Sequence, residues 1–387
     1  MTTRQQPKGA KGIAGVIQEL QCLPDKDQLL LLKAALFSDQ KALNAWNEWV
    51  KTVDFERTDS GSYRLFPLVY SRLVELGVES SDVLLRLKGA YRYHWAQTNK
   101  ILMQSEAIFQ ALLDRQIPVL ALKGASVALK YYEKVAERPM TDVDMLVPRK
   151  NFEAVIQILR EQGCELKPPF NQKTLEVRHA LSFGRPKDGL EVDVHVCVHF
   201  ENLKEDAQAR YWNRSVPMQF NKVSVATLCD TDHLYHALVH GMRFNKPSPI
   251  RWIVDAMMII DKATIDWPVL VENARTDQQN LTVWAALAFL QQHFEADIPP
   301  SVFAQLEQNT DWGKERKYLL VKTKQISSLK DRYLLHYCHY KTIRQHSPLE
   351  INFWQYLNLA FGFQSQRQLL RHFFQVAWKT SAAKMHF

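Results

Sequence analysis

Between residues 117 and 200 the apolar pattern changes period several times, and most changes are marked by a glycine or a proline. "IPVLALKGAS" (117–126) is a short apolar run ending at Gly124, the pattern of a buried strand entering a turn. "SVALKYYEKV" then has helical spacing, and "TDVDMLVP" reads as a strand stopped by Pro148. "NFEAVIQILREQGC" puts Phe152, Val155, Ile156 and Leu159 on one helical face, with Gly163 as its C-cap. "VRHALSFG" and "LEVDVHVCV" alternate and are joined by "RPKDG", in which Asp-Gly is a hairpin signal. A chain punctuated in this way builds strand, helix, strand, helix and hairpin, a small α/β unit.

The flanks read differently. "IAGVIQELQCL", "DQLLLLKAALF" and "SEAIFQALLDRQ" repeat apolar residues every three or four positions and contain no glycine or proline beyond Gly15. "DTDHLYHALVHGMRF" and "IRWIVDAMMIIDKA" do the same after the core. The expected organisation is a short disordered tail (1–13), an N-terminal helical region (14–115), a mixed core (116–204) and a C-terminal helical region (205–387). The fold class is α+β, and no internal repeat or long low-complexity segment interrupts it.

Composition excludes several classes. Apolar residues at 46% and charged residues at 23% fit a globular protein. No apolar run approaches the roughly 20 residues that span a bilayer. "MTTRQQPKGAKG" lacks the apolar segment of a secretory signal. The five cysteines, Cys22, Cys164, Cys197, Cys229 and Cys338, are scattered and never form CxxC, which argues against a disulfide framework or a zinc knuckle. A reducing cytoplasm is the expected setting. The net charge of +8 is compatible with anionic partners such as nucleotides, nucleic acid or a membrane surface.

The chemistry lies in "ERPMTDVDMLVP" (137–148) and "EVDVHV" (191–196). Side chains alternate across a strand, so Asp142 and Asp144 share one face while Val143, Met145 and Val147 share the other. In the later strand Glu191, Asp193 and His195 lie opposite Val192, Val194 and Val196. If the two strands are neighbours, three aspartates converge. Clustered carboxylates repel one another unless a cation neutralises them. Magnesium takes hard oxygen ligands and shares them with substrate phosphate, and two such ions can clamp a phosphoryl group in line. "LKGAS" ends a strand and opens a helix: Gly124 allows close backbone approach, the amides near Ala125 and Ser126 can hold phosphate oxygens, and Lys123 or Arg138 can add positive charge. The bland readings are a polar strand face and an ordinary turn.

The order "LKGAS", "DVDMLV", "EVDVHV" resembles the nucleotidyltransferase superfamily that includes DNA polymerase beta. "VLALKGA", "ERPMTDVDMLV", "VDVH" and "RWIVDAMMII" look like a bacterial branch of largely uncharacterised nucleotidyltransferases. The resemblance covers roughly residues 100–275. It implies a small mixed β-sheet with helices on one side, Asp142 and Asp144 as paired metal ligands, Asp193 as the third carboxylate, and Gly124 with Ser126 as the phosphate-holding turn. It also implies Mg2+, in two ions, as cofactor and a nucleoside triphosphate such as ATP as donor. Ala125 intervenes between Gly124 and Ser126, and the stretch from the glycine to Asp142 is longer than in the best-known members. The acceptor implied is open: a small molecule, a peptide, a protein or an RNA. The alternative is a non-catalytic module on the same fold that binds nucleotide, nucleic acid or protein.

Other residues have weaker patterns. Asp232 precedes His233, His236 and His240, which lie near one helical face, and packing or hydrogen bonding explains the histidines better than a metal. Asp255 lies in an apolar helix and must be satisfied, an arginine or histidine being the expected partner. His195 can contact a nucleotide phosphate or orient a carboxylate. Nothing marks Cys197 as an activated thiol. The aromatics of "INFWQYLNLAFGF" read as helix core before they read as a stacking surface.

Overall fold

The structure, a computed structural model, describes residues 10–168, 170, 172–245, 250–346, 350–363, 365–372 and 375. The chain divides into two compact units, one of residues 1–103, 123–141 and 228–325, the other of residues 104–122, 142–227 and 326–387. The fold is mixed helix and sheet, as the alternating and helical periods require.

The second unit holds the seven-stranded sheet. Its strands are β1 (Leu120–Leu122), β2 (Val143–Leu146), β3 (Glu165–Leu166), β4 (Ala180–Arg185), β5 (Leu190–His195), β6 (Val216–Phe220) and β7 (Val223–Thr227). Their order is β3-β4-β5-β2-β1-β7-β6. β2 runs antiparallel to β1 and parallel to β5, and β1 runs parallel to β7. β1 and β2 are buried throughout, because central strands have both faces covered. The helix Phe152–Glu161 buries Phe152, Val155, Ile158 and Leu159, so Ile158 rather than Ile156 completes the apolar stripe. Gly163 ends it with φ +76°, a left-handed conformation that costs glycine little. In the β4–β5 hairpin Gly189 has φ +77°, and Asp188 accepts from Arg185 Nε and Nη2 at 2.9 Å each.

β6 and β7 lie within the stretch assigned to the C-terminal helical region (205–387), so the sheet extends to Thr227. Their signal was local: "VSVAT" alternates, and Asn221 supplies the turn with φ +49°. The helix Ala10–Glu19 also begins inside the stretch expected as a tail, of which residues 1–9 lie outside the described residues.

The first unit is helical. Asp25 caps the helix Lys26–Leu36 in a reciprocal capping box with Gln28, which satisfies end amides that would otherwise lack partners. Trp49 packs edge-on to Phe66 with ring centroids 5.9 Å apart, a pair that contributes about 0.5–1.5 kcal/mol beyond its buried area. Helices Asp230–Gly241, Arg251–Lys262 and Asn280–Phe294 supply much of the remaining core through Leu234, Leu238, Ile253, Leu287 and Leu290. A Cβ at Gly241 would fall 2.1 Å from Trp252 Cγ, so only glycine lets that indole pack where it does. Among the described residues no helix is long and apolar enough to cross a membrane.

Candidate active site

The second unit builds an acidic cluster from strand register. β2 and β5 lie side by side with Asp144 opposite Asp193 and Leu146 opposite His195. Directly paired residues on adjacent strands project to the same face. Val143, Met145, Val192 and Val194 fill the other face and are fully buried. Asp144 and His195 are buried as well, at 4% and 0% exposure, while Asp193 is half-buried. His195 Nε2 lies 3.0 Å from Asp144 Oδ1. A carboxylate only accepts, so His195 Nε2 carries the proton of this bond and holds the carboxylate in one orientation. Asp144, Asp193 and His195 each place a ligand atom within 4.8 Å of the others, the one such group among the described residues.

The expected triad is therefore only partly assembled in this way. Asp142, half-buried and just ahead of β2, stands outside that group, and His195 takes the third place within it. The donor set still suits a hard divalent cation: two carboxylates supply oxygens, and magnesium commonly takes one or two carboxylates together with water and substrate phosphate. Sequence reasoning passed over His179, whose ring centroid lies 5.1 Å from that of His195 and whose carbonyl accepts from the Val196 amide at 2.8 Å. Its alternating setting in "VRHALSFG" was the available signal.

Lys123, Gly124, Ser126 and Arg138 belong to the first unit. The left-handed residue of the turn is Lys123, with φ +44°, and not Gly124, which lies buried in the first turn of the helix Lys123–Tyr131. A non-glycine residue pays for that conformation, and such strain gathers at functional turns. Ser126 is fully buried, and its hydroxyl donates to the Lys123 carbonyl at 3.1 Å, which fastens the turn.

Arg138, expected to add charge beside a phosphate, is instead committed to Asp255. Its Nε and Nη2 donate to the two Asp255 oxygens at 2.8 and 2.7 Å, and Tyr132 Oη donates at 2.7 Å. Burial alone pushes the Asp255 carboxyl up. The Arg138 guanidinium, with Arg251 and Tyr132, outweighs it and holds the carboxyl below its ordinary value. Arg251 also donates to the Pro139 carbonyl.

The helix Asp230–Gly241 uses its histidines for packing and hydrogen bonds, as expected. His233 is buried edge-on to Tyr131, with centroids 5.6 Å apart, and His240 Nε2 lies 2.6 Å from Arg243 Nη2. Burial, followed by Lys130, pulls the His233 pKa down to about 3. Its folded value is below its unfolded one, so the unfolded chain takes a proton there first as pH falls. Stability is thus expected to drop by on the order of 1–2 kcal/mol between pH 7 and pH 5 from this group alone. The drop, read from urea midpoints at both pH values, should shrink in His233→Phe; an unchanged acid limb would assign it elsewhere. Burial pushes the Cys197 thiol up to about 11, in keeping with an inert side chain.

No protein of curated function matches the chain. A solved structure, an antigenic nucleotidyltransferase-like protein from Paracoccidioides brasiliensis, is similar at 15% identity with a TM-score of 0.37, covering 55% of this chain and 94% of that one. A family model described as uncharacterised nucleotidyltransferase matches residues 62–295, which include β1 to β7 and Asp142, Asp144, Asp193 and Asp255. The chain belongs to this uncharacterised nucleotidyltransferase family.

Proposed function

We propose that the protein transfers a nucleotidyl group from a nucleoside triphosphate to an acceptor hydroxyl or phosphate, using Mg2+ held by Asp144 and Asp193 with Asp142 beside them. The observation that carries this reading is the register that sets Asp144 against Asp193, with ligand atoms within 4.8 Å. When bound, magnesium would neutralise charge on the phosphate oxygens. His195 holds Asp144 to one orientation, which spares the reaction the cost of arranging it. The acceptor oxygen attacks the α-phosphorus, the bond to the bridging oxygen of the β-phosphate breaks, and pyrophosphate leaves. The half-buried Asp193 carboxylate takes the proton of an acceptor hydroxyl and returns it to solvent.

Purified protein, magnesium and each α-labelled nucleoside triphosphate, incubated with fractionated protein, RNA and small-molecule extracts, test this. Label is expected in one fraction with the native protein and in none with an Asp142→Ala/Asp144→Ala variant. Transfer of γ-label alone would replace the reading by phosphoryl transfer. Nucleotide binding without transfer of either label would make the protein a binding module.

A further inference from the structure

Within the second unit a band of rings leads away from the acidic cluster. The His195 ring meets His179, whose centroid lies 6.2 Å from Phe200, and Phe200 in turn lies 4.4 Å from His339 on the helix Leu329–His346. His179, Phe200 and His339 are each only half-buried, so ring surface remains open. Tyr356, close by, is buried at 2% exposure.

Arg178, next to His179 in the chain, sits in the same unit. Its guanidinium carbon lies 3.9 Å from the Phe170 ring centroid, and among the described residues it forms no ion pair with a carboxylate. Burial lowers its pKa, and the one group that opposes this shift is the phenol of Tyr356. His336, whose ring centroid lies 6.3 Å from that of His339, joins Arg178 to this band: burial, then Arg178 and Arg332, pull its pKa down to about 4. Arg178 is half-buried, so its guanidinium keeps some access to solvent and can pair with an anion that enters from there. Phosphate is the anion whose geometry a guanidinium fork matches best.

We propose that Arg178, Phe200 and His339 form a nucleotide subsite beside the acidic cluster, with Arg178 donating to a phosphate oxygen and the two rings offering their faces to the base. It rests on the nucleotidyltransferase reading for the donor and assigns the base and one phosphate of that donor. Residues 326–363 are outside the stretch matched by the family model, so this wall of the site is supplied by the chain's C-terminal part.

Equilibrium binding separates the parts. The four nucleoside triphosphates, adenosine and inorganic triphosphate would be titrated into the full-length protein with magnesium and with chelator. Arg178→Ala is expected to weaken binding of the preferred triphosphate and of inorganic triphosphate about tenfold and adenosine hardly at all, with Arg178→Lys restoring part of the loss. Phe200→Leu is expected to weaken the nucleotide and adenosine by roughly five- to tenfold and to spare inorganic triphosphate. Thermal melts of each variant exclude misfolding as the cause. Triphosphate affinity within twofold of native in Arg178→Ala, or no binding of any nucleotide by the native protein, would overturn the subsite. Loss of binding in Arg178→Ala by a protein that transfers no α-label would leave the subsite standing and remove the transfer reading.

Discussion

Replacing Asp144 by asparagine is expected to remove nucleotidyl transfer, with a rate loss on the order of 10²–10³ or more. The substitution keeps shape and volume. The asparagine carbonyl can still accept the 3.0 Å bond from His195 Nε2, so the strand and its neighbour should stay in place. What disappears is one negative charge, buried at 4% exposure and opposite Asp193 in the β2–β5 register. Asp193→Asn should lose a comparable amount, because the two carboxylates act on the same charge and their effects are not additive. His195→Gln should cost less, about 10–100-fold, since it orients a ligand and adds no charge. Initial rates of α-label incorporation would establish this order, with manganese binding followed by paramagnetic resonance as a second readout. Asp144→Asn with a rate within a few-fold of native would place the chemistry elsewhere.

The second large effect is on stability. Asp255→Ala is expected to destabilise the protein by about 3–5 kcal/mol, because it strands the Arg138 guanidinium, itself 4% exposed, without its partner. Replacing both partners, as in Arg138→Met/Asp255→Leu, should recover much of that loss, since an apolar pair requires no desolvated charge to be matched. Urea unfolding at pH 7 would separate the two outcomes; equal losses in the single and double variants would show that packing, not charge, is at stake. The acid dependence has a definite sign. The Asp255 carboxyl is held below its unfolded value of 3.8, so the stability it contributes is complete above that pH. It is lost as pH falls below 3.8 through the folded value. The Asp255→Ala variant should therefore lose less additional stability than the native protein over that acid range.

How much of this was legible in the chain depends on the distance over which each feature is decided. Short-range chemistry was readable. The alternation in "DVDMLV" and "EVDVHV" placed Asp144, Asp193 and His195 on the faces they occupy. Asp188-Gly189 announced the β4–β5 hairpin, and Gly163 ended its helix where expected. Asp255 in an apolar helix announced that it needed a basic partner. The "KVSVAT" hairpin carried the same local signal and was passed over because its surroundings are helical. Turn strain was less legible: glycine is the residue that left-handed φ favours, yet the tertiary setting imposes φ +44° on Lys123 and draws Gly124 into the helix.

The sequence by itself thus determined the strands, their polar faces, the caps and the family. Only the tertiary structure decided which faces meet. Asp144 and His195 are 51 residues apart and Arg138 and Asp255 117 apart, and nothing local specifies either pairing. Those contacts arise when the parallel register of β2 and β5, and the packing of helices around Tyr132, bury the apolar faces of these elements. Once buried, each charged group had to find its partner among the neighbours that packing supplied. This is why Arg138 belongs to Asp255, and why the acidic cluster is completed by a histidine.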